Sequence, residues 1–173
     1  DVRFDAKFSA GTVGYKVETY VMGLDGNYGD AAIEDKSATT GETVSITPEA
    51  REGFTVAGES VLTGTVAADS SLVLKVYYSR NQYKLTVDGA ESEVYYGAAL
   101  DIATPAAREG YTFIGWDKAI PATMPAENMT VTAKWKVNQY TITFDTNGGS
   151  EITPITQDYG TAITAPASPT REG

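Results

Sequence analysis

The sequence predicts a mostly β protein, α+β at most, assembled from small tandem units with short junctions. Three observations predict it. Segments whose apolar residues alternate with polar ones recur along the chain, the period-two signature of strands with one buried face. Asp-Gly or Asn-Gly pairs follow the opening segments, at Asp25-Gly26, Asp88-Gly89 and Asn147-Gly148, and suit turns that need positive φ. The tripeptide Arg-Glu-Gly stands at Arg51, Arg108 and Arg171, with a proline just before each copy and Gly41, Gly97 or Gly160 further upstream.

Taken in order, residues 2–8 (VRFDAKF) place Val2, Phe4, Ala6 and Phe8 on one face and end as a later closing strand does. They are expected to be the closing strand of a preceding unit. An opening strand at 15–21 puts Tyr15, Val17 and Val21 together, and 71–78 closes that unit with Leu72, Leu74, Val76 and Tyr78 on one face. The next opening strand carries Tyr83, Leu85 and Val87, and its closing strand Met129, Val131, Ala133 and Trp135. A third opening strand aligns Tyr140, Ile142 and Phe144, leaving Thr141 and Thr143 outward. Three or four residues separate closing from opening strands, too few for a floppy linker. The expected division is 1–8, a closing strand; 9–80 and 81–136, two complete units; and 137–173, the first half of a further unit. On this reading Gly173 is a cut within a longer array.

Composition removes whole function classes. The 173 residues contain no His and no Cys, which excludes the usual zinc sites, thiol nucleophiles, imidazole acid–base chemistry and disulfides. A net charge of −10 opposes nucleic-acid binding. No apolar run is long enough for membrane insertion within this segment. Eleven Tyr with abundant Thr and Val favour strands.

Each motif that suggests chemistry has a plainer account. Tyr111, Phe113 and Trp116 could stack on a sugar, but they read first as core aromatics, as does Trp135. Asp25, Asn27 and Asp30 have calcium-like spacing, yet the position that should supply a distal Glu is Lys36, so a surface turn is expected, as at 145–149. Asn128-Met129-Thr130 fits a glycosylation sequon. Glu91 and Glu93 share a strand face but no cleft. In Arg-Glu-Gly, the Gly is expected to supply positive φ and the Arg and Glu to form an exposed charged pair. The sequence therefore assigns no catalytic, cofactor-binding or metal-binding residue, implies no cofactor, and identifies no binding residue.

Residues 140–173 (YTITFDTNGGSEITPITQDYGTAITAPASPTREG) resemble the first half of a Listeria–Bacteroides repeat, the B-repeat type of internalin-like proteins. Residues 108–135 resemble its second half, with Gly-Tyr-Thr-Phe-x-Gly-Trp at 110–116 and the closing Ala-Lys-Trp. This resemblance covers 82–173, although the turn after Val87 lacks the Asn-Gly-Gly of the pattern. Residues 14–80 are similar to mucin-binding-protein repeats. Both resemblances imply β-grasp, ubiquitin-like units strung on secreted bacterial surface proteins, with wall anchoring through a region outside this segment. They allow a turn or two of helix at 98–110. The function they imply is a non-catalytic stalk or spacer; the alternatives are an adhesin module for mucin glycans or a host protein, and an accessory module of a glycan-degrading enzyme. The partners expected are neighbouring repeats and a host glycan or surface protein. A half unit at 137–173 also predicts weak head-to-tail self-association through residues 1–8 of another molecule.

Overall fold

The computed structural model describes Arg3 and residues 9–172. The strand expected at 1–8 and the terminus at Gly173 lie outside the described residues. Thirteen strands and no helix are present among them. The stretch 98–110, expected to allow a helical turn, forms no helix: Ala99 bridges to Thr123, and a turn closes at Glu109-Gly110. Pro105 lacks an N–H and biases Thr104 away from the α region, and Thr104 is itself β-branched.

Two compact units form. The first comprises the described residues up to Leu85 together with Glu91–Leu100 and Pro121–Met129. The second comprises Thr86–Ala90, Asp101–Ile120 and the described residues from Thr130 onward.

The first unit is built on a sheet in which β1 (Thr12–Val21), β2 (Ala32–Thr39), β4 (Phe54–Val56) and β6 (Val73–Arg80) take the order β2-β1-β6-β4. β1 and β2 are antiparallel, β1 and β6 parallel, and β4 antiparallel to β6. A short pair, β3 (Thr43–Ser45) with β5 (Thr63–Thr65), completes it. The alternation in the sequence decides the inner face: Val17, Leu74, Val76 and Tyr78 are buried, and Leu74 is fully so. β6 is flanked by β1 on one edge and β4 on the other, and it is accordingly the most buried strand of the unit.

The neighbours recur further along. β7 (Gln82–Val87), β8 (Ala90–Tyr95) and β10 (Met129–Val131) take the order β10-β7-β8, matching β6-β1-β2. β9 (Tyr111–Trp116) pairs antiparallel with β11 (Ala133–Val137), matching β4 with β6. The closing strand, expected as one piece, is interrupted at Thr132, whose amide donates to Asp117 Oδ1 (2.8 Å) while its carbonyl accepts from the Asp117 amide. The register then shifts between Lys134 and Trp135, which leaves Ile114 of β9 as the bulged residue between Phe113 and Gly115. β12 (Gln139–Ile142) and β13 (Ile155–Asp158) form a third hairpin; Phe144 lies beyond its strand.

Two local expectations change. The junctions are tighter than three or four residues: Asn81 alone separates β6 from β7, and Asn138 alone separates β11 from β12. Only Asp88-Gly89 returns its hairpin directly, with φ of 47° and 86°; Gly26 and Asn147-Gly148 sit inside longer connections.

Candidate functional site

The face of the first sheet opposite its core carries the most developed side-chain constellation of that unit. Period-two alternation puts Glu18 and Tyr20 of β1, and Lys75, Tyr77 and Ser79 of β6, on this face. The parallel register sets Tyr20 beside Tyr77 and Glu18 beside Lys75. The two rings stack at 4.5 Å and 11°. A bridge between Met22 and Tyr28 folds the following loop back, and Tyr28 meets the edge of Tyr77 at 4.9 Å and 63°.

Every phenol in the cluster whose bonds are resolved is engaged. Tyr20 donates to Glu18 Oε2 (2.7 Å), and Lys75 Nζ lies 3.7 Å from the same oxygen. Tyr28 donates to Glu59 Oε1 (2.9 Å) and shares a 2.8 Å hydrogen bond with Ser79 Oγ. All three rings are half-buried. Aromatic edges ringed by carboxylates and hydroxyls suit a hydroxyl-rich ring ligand, although the stacked faces of Tyr20 and Tyr77 are already spent on one another. The sequence reading missed this cluster because it followed the buried face; the signal was Tyr20 and Tyr77 at the out-facing positions of two predicted strands.

The Glu18 carboxylate sets the titration of this site. Its hydrogen bond to the Tyr20 hydroxyl, aided by desolvation and by its negative charge, pushes that hydroxyl up to about 12. A tyrosine raised above its ordinary value stabilises the fold below pH 10, and the contribution is lost as pH rises through 12. In a 295 nm absorbance titration, Tyr20 is expected to ionise late, and Glu18→Gln to move that ionisation toward lower pH. An unchanged titration in the variant would remove the assigned cause.

On the inner face of the same sheet a groove of about 400 Å³ opens between Val17, Val76 and Tyr78 at its base and Glu34, Lys36 and Arg51 at its rim. In the second unit a depression of about 480 Å³ lies elsewhere, at Thr112, Lys136, Asn138 and Tyr140. These two depressions do not repeat one another.

The residues singled out from the sequence fall mostly into structural roles. Phe113 packs edge-on against Trp116 (5.4 Å) and Trp135 (5.7 Å), so the three form a half-buried cluster rather than a flat platform. Asp25 uses one carboxylate oxygen for the Asn27 amide (3.1 Å) and the other for its side chain (3.0 Å), which holds the Asp25 carboxyl below its usual range. Those bonds close a turn, and Asp30 is not drawn into them. Asn128 Oδ1 accepts from the Lys84 amide (2.9 Å). Glu91 pairs with Lys84 (2.9 Å), and Glu93 is exposed on the same strand. In Arg-Glu-Gly, Gly53 and Gly110 do have positive φ, 73° and 77°. Arg51, Glu52, Arg108 and Glu109 are exposed, as expected, and each arginine also lies over an aromatic ring. Arg51 covers Tyr78 (4.8 Å) and Arg108 covers Tyr111 (3.9 Å).

Residues 75–134 and 140–173, more than half the chain, match the Listeria-Bacteroides repeat domain. A 92-residue stretch, 49% of the chain, is 37% identical to each of two Evansella cellulosilytica proteins described as "Putative membrane protein" and "Putative Gly-rich membrane protein", covering 14% and 11% of them. A 98-residue stretch, 50% of the chain, is 38% identical to Internalin H of Listeria monocytogenes over 18% of its length. The chain thus spans about a tenth to a fifth of the curated relatives it matches. No solved structure matches it.

Proposed function

The chain belongs to the Listeria-Bacteroides repeat domain family, and from that premise we propose that it is a non-catalytic repeat segment of a bacterial surface protein, serving as a stalk or spacer. The observation that carries this reading is the recurrence of one strand neighbourhood, β2-β1-β6 and then β8-β7-β10, across a junction of the single residue Asn81. Each closing strand passes almost directly into the next opening strand, which limits the freedom a spacer must restrict. The order β2-β1-β6-β4 with a parallel central pair supports a β-grasp-like unit. The repeat boundaries 9–80, 81–136 and 137–173, a mucin-binding-type character for 14–80, an extracellular location and wall anchoring outside this segment complete the reading. Exposed Tyr140 and Ile163 support weak head-to-tail association of the segment. Among the described residues no helix is long and apolar enough to cross a membrane.

A second reading, adhesion to a glycan or host protein, draws support from the Tyr20, Tyr28 and Tyr77 cluster. Surface display separates the two. A binding domain placed beyond this segment should lose access to a bulky ligand when the segment is deleted, and regain it when an unrelated rigid spacer of equal length replaces it. If the replacement fails, or if Tyr20→Ala with Tyr77→Ala abolishes attachment of the segment to mucin, the spacer reading falls.

A further inference from the structure

Twice, once within each compact unit, a tyrosine ring lies directly on a glycine. A Cβ built on Gly53 would come within 2.0 Å of a ring carbon of Tyr96, and one built on Gly110 within 1.9 Å of a ring carbon of Tyr159, closer than any non-bonded carbon can approach. Both glycines are buried, and both end an Arg-Glu-Gly tripeptide. Both tyrosines precede the upstream glycine of the next repeat, Gly97 or Gly160.

The surrounding bonds repeat residue by residue. The Gly53 carbonyl accepts from the Asn81 amide (2.9 Å), and the Asn81 carbonyl accepts from the Tyr96 amide (2.9 Å). In the second unit the Gly110 carbonyl accepts from Asn138 and the Asn138 carbonyl from Tyr159, each at 2.8 Å. Thr55 donates to Asn81 Oδ1 (2.8 Å) and Thr112 to Asn138 Oδ1 (2.6 Å). Phe54 meets Tyr96 edge-on at 6.0 Å, and Tyr111 meets Tyr159 edge-on at 6.3 Å. Packing, backbone and side-chain bonds thus coincide at two sites that share no residue.

We propose that the segment Arg-Glu-Gly-aromatic-Thr is a docking surface whose partner is the hairpin that follows it, recognised by an Asn at the hairpin's entrance and a Tyr at its far end. Its glycine is a seat for an aromatic ring, which only a residue without Cβ provides. The structural unit therefore joins the second half of one sequence repeat to the first half of the next. The hairpin of β1 and β2 lacks both recognition residues: Val13 stands two before Tyr15, where Asn81 and Asn138 stand before Tyr83 and Tyr140, and Thr40 precedes Gly41. That hairpin is not a ligand for such a surface, so docking is specific to the hairpins 82–97 and 139–160. The first junction carries an extra hold, since Arg80 donates to the carbonyls of Met22 (3.1 Å) and Tyr96 (2.9 Å), where the second has Val137.

This inference rests on the repeat reading but not on the spacer role, and hydrogen exchange on the full chain tests it apart from surface display. In Tyr159→Ala and in Gly110→Ala, amides of Asn138–Ile142 and Ile155–Tyr159 are expected to exchange about tenfold faster or more, while β1 and β6 keep their protection. Tyr159→Phe, which keeps the ring, should stay near the parent. The double variant should exchange no faster than the worse single one, because both changes remove the same contact. Parent-like exchange in Tyr159→Ala, or effects that multiply in the double variant, would overturn the proposal. Should the alanine variant unfold the second unit, Tyr159→Leu takes its place: accelerated exchange is again expected, and parent-like exchange again overturns it.

Discussion

Leu74→Ala is expected to remove about 2–5 kcal/mol from the first unit, enough to unfold much of it. Leu74 is fully buried near the start of β6, in register with Val17 of the parallel strand β1. Truncation there costs the transfer energy of the lost methyls and leaves a cavity that β-sheet backbone cannot close. A small unit has little reserve against such a loss. Hydrogen exchange of the Lys16–Val21 amides reads the effect directly, and Leu24→Ala supplies the comparison. Leu24 is 51% exposed, so its truncation should change protection by less than about 0.5 kcal/mol. Equal effects at the two positions would mean that the assigned core is wrong.

Gly53→Ala should cost the first unit roughly 2–5 kcal/mol, through two separable causes. A Cβ at φ of 73° is strained against its own backbone. It also enters the space of the Tyr96 ring. Two other glycines isolate the terms. Gly41 has φ of 84° but nothing within 4 Å of a Cβ, so Gly41→Ala should show backbone strain alone, about 1–2 kcal/mol. Gly58 has neither feature, and Gly58→Ala should be near neutral, within about 0.5 kcal/mol. Denaturant unfolding followed by exchange at β1 and β6 should rank the three as 53, then 41, then 58. A Gly53→Ala variant no worse than Gly41→Ala would show that the ring yields without loss.

The strands were legible because a single buried face writes its own period. Val17, Leu74, Val76, Tyr78, Leu85, Met129 and Val131 all fall on the alternating apolar faces of the sequence, and all are buried. Val66 and Met124 were not identified, although each is about 1% exposed. Neither sits in an alternating stretch: Met124 is buried between two prolines, and its backbone pairs with Ala98 and Gly97 rather than within a named strand. Tyr20 and Tyr77 fall at the opposite positions of their strands, a face the sequence reading did not follow, and the parallel register of β1 with β6 is what shows that they meet. The recurrence of Arg-Glu-Gly was visible, and so was its demand for a glycine. What the glycine faces comes from a hairpin more than forty residues later, a relation that no local period records.

The parallel pairing of β1 with β6 has a mechanical meaning. The β2-β1-β6-β4 sheet is entered at the start of β1, near Thr12, and left at the end of β6, near Arg80, and these two points lie at opposite ends of the paired strands. Tension along the chain therefore pulls the strands past one another along their length instead of peeling them open from one end. The six registered pairs from Lys16–Val73 to Val21–Tyr78 are loaded together, and none yields before the rest. Under flow or traction the unit should resist extension far better than its modest core suggests, with the rate of forced unfolding set by that shared ladder.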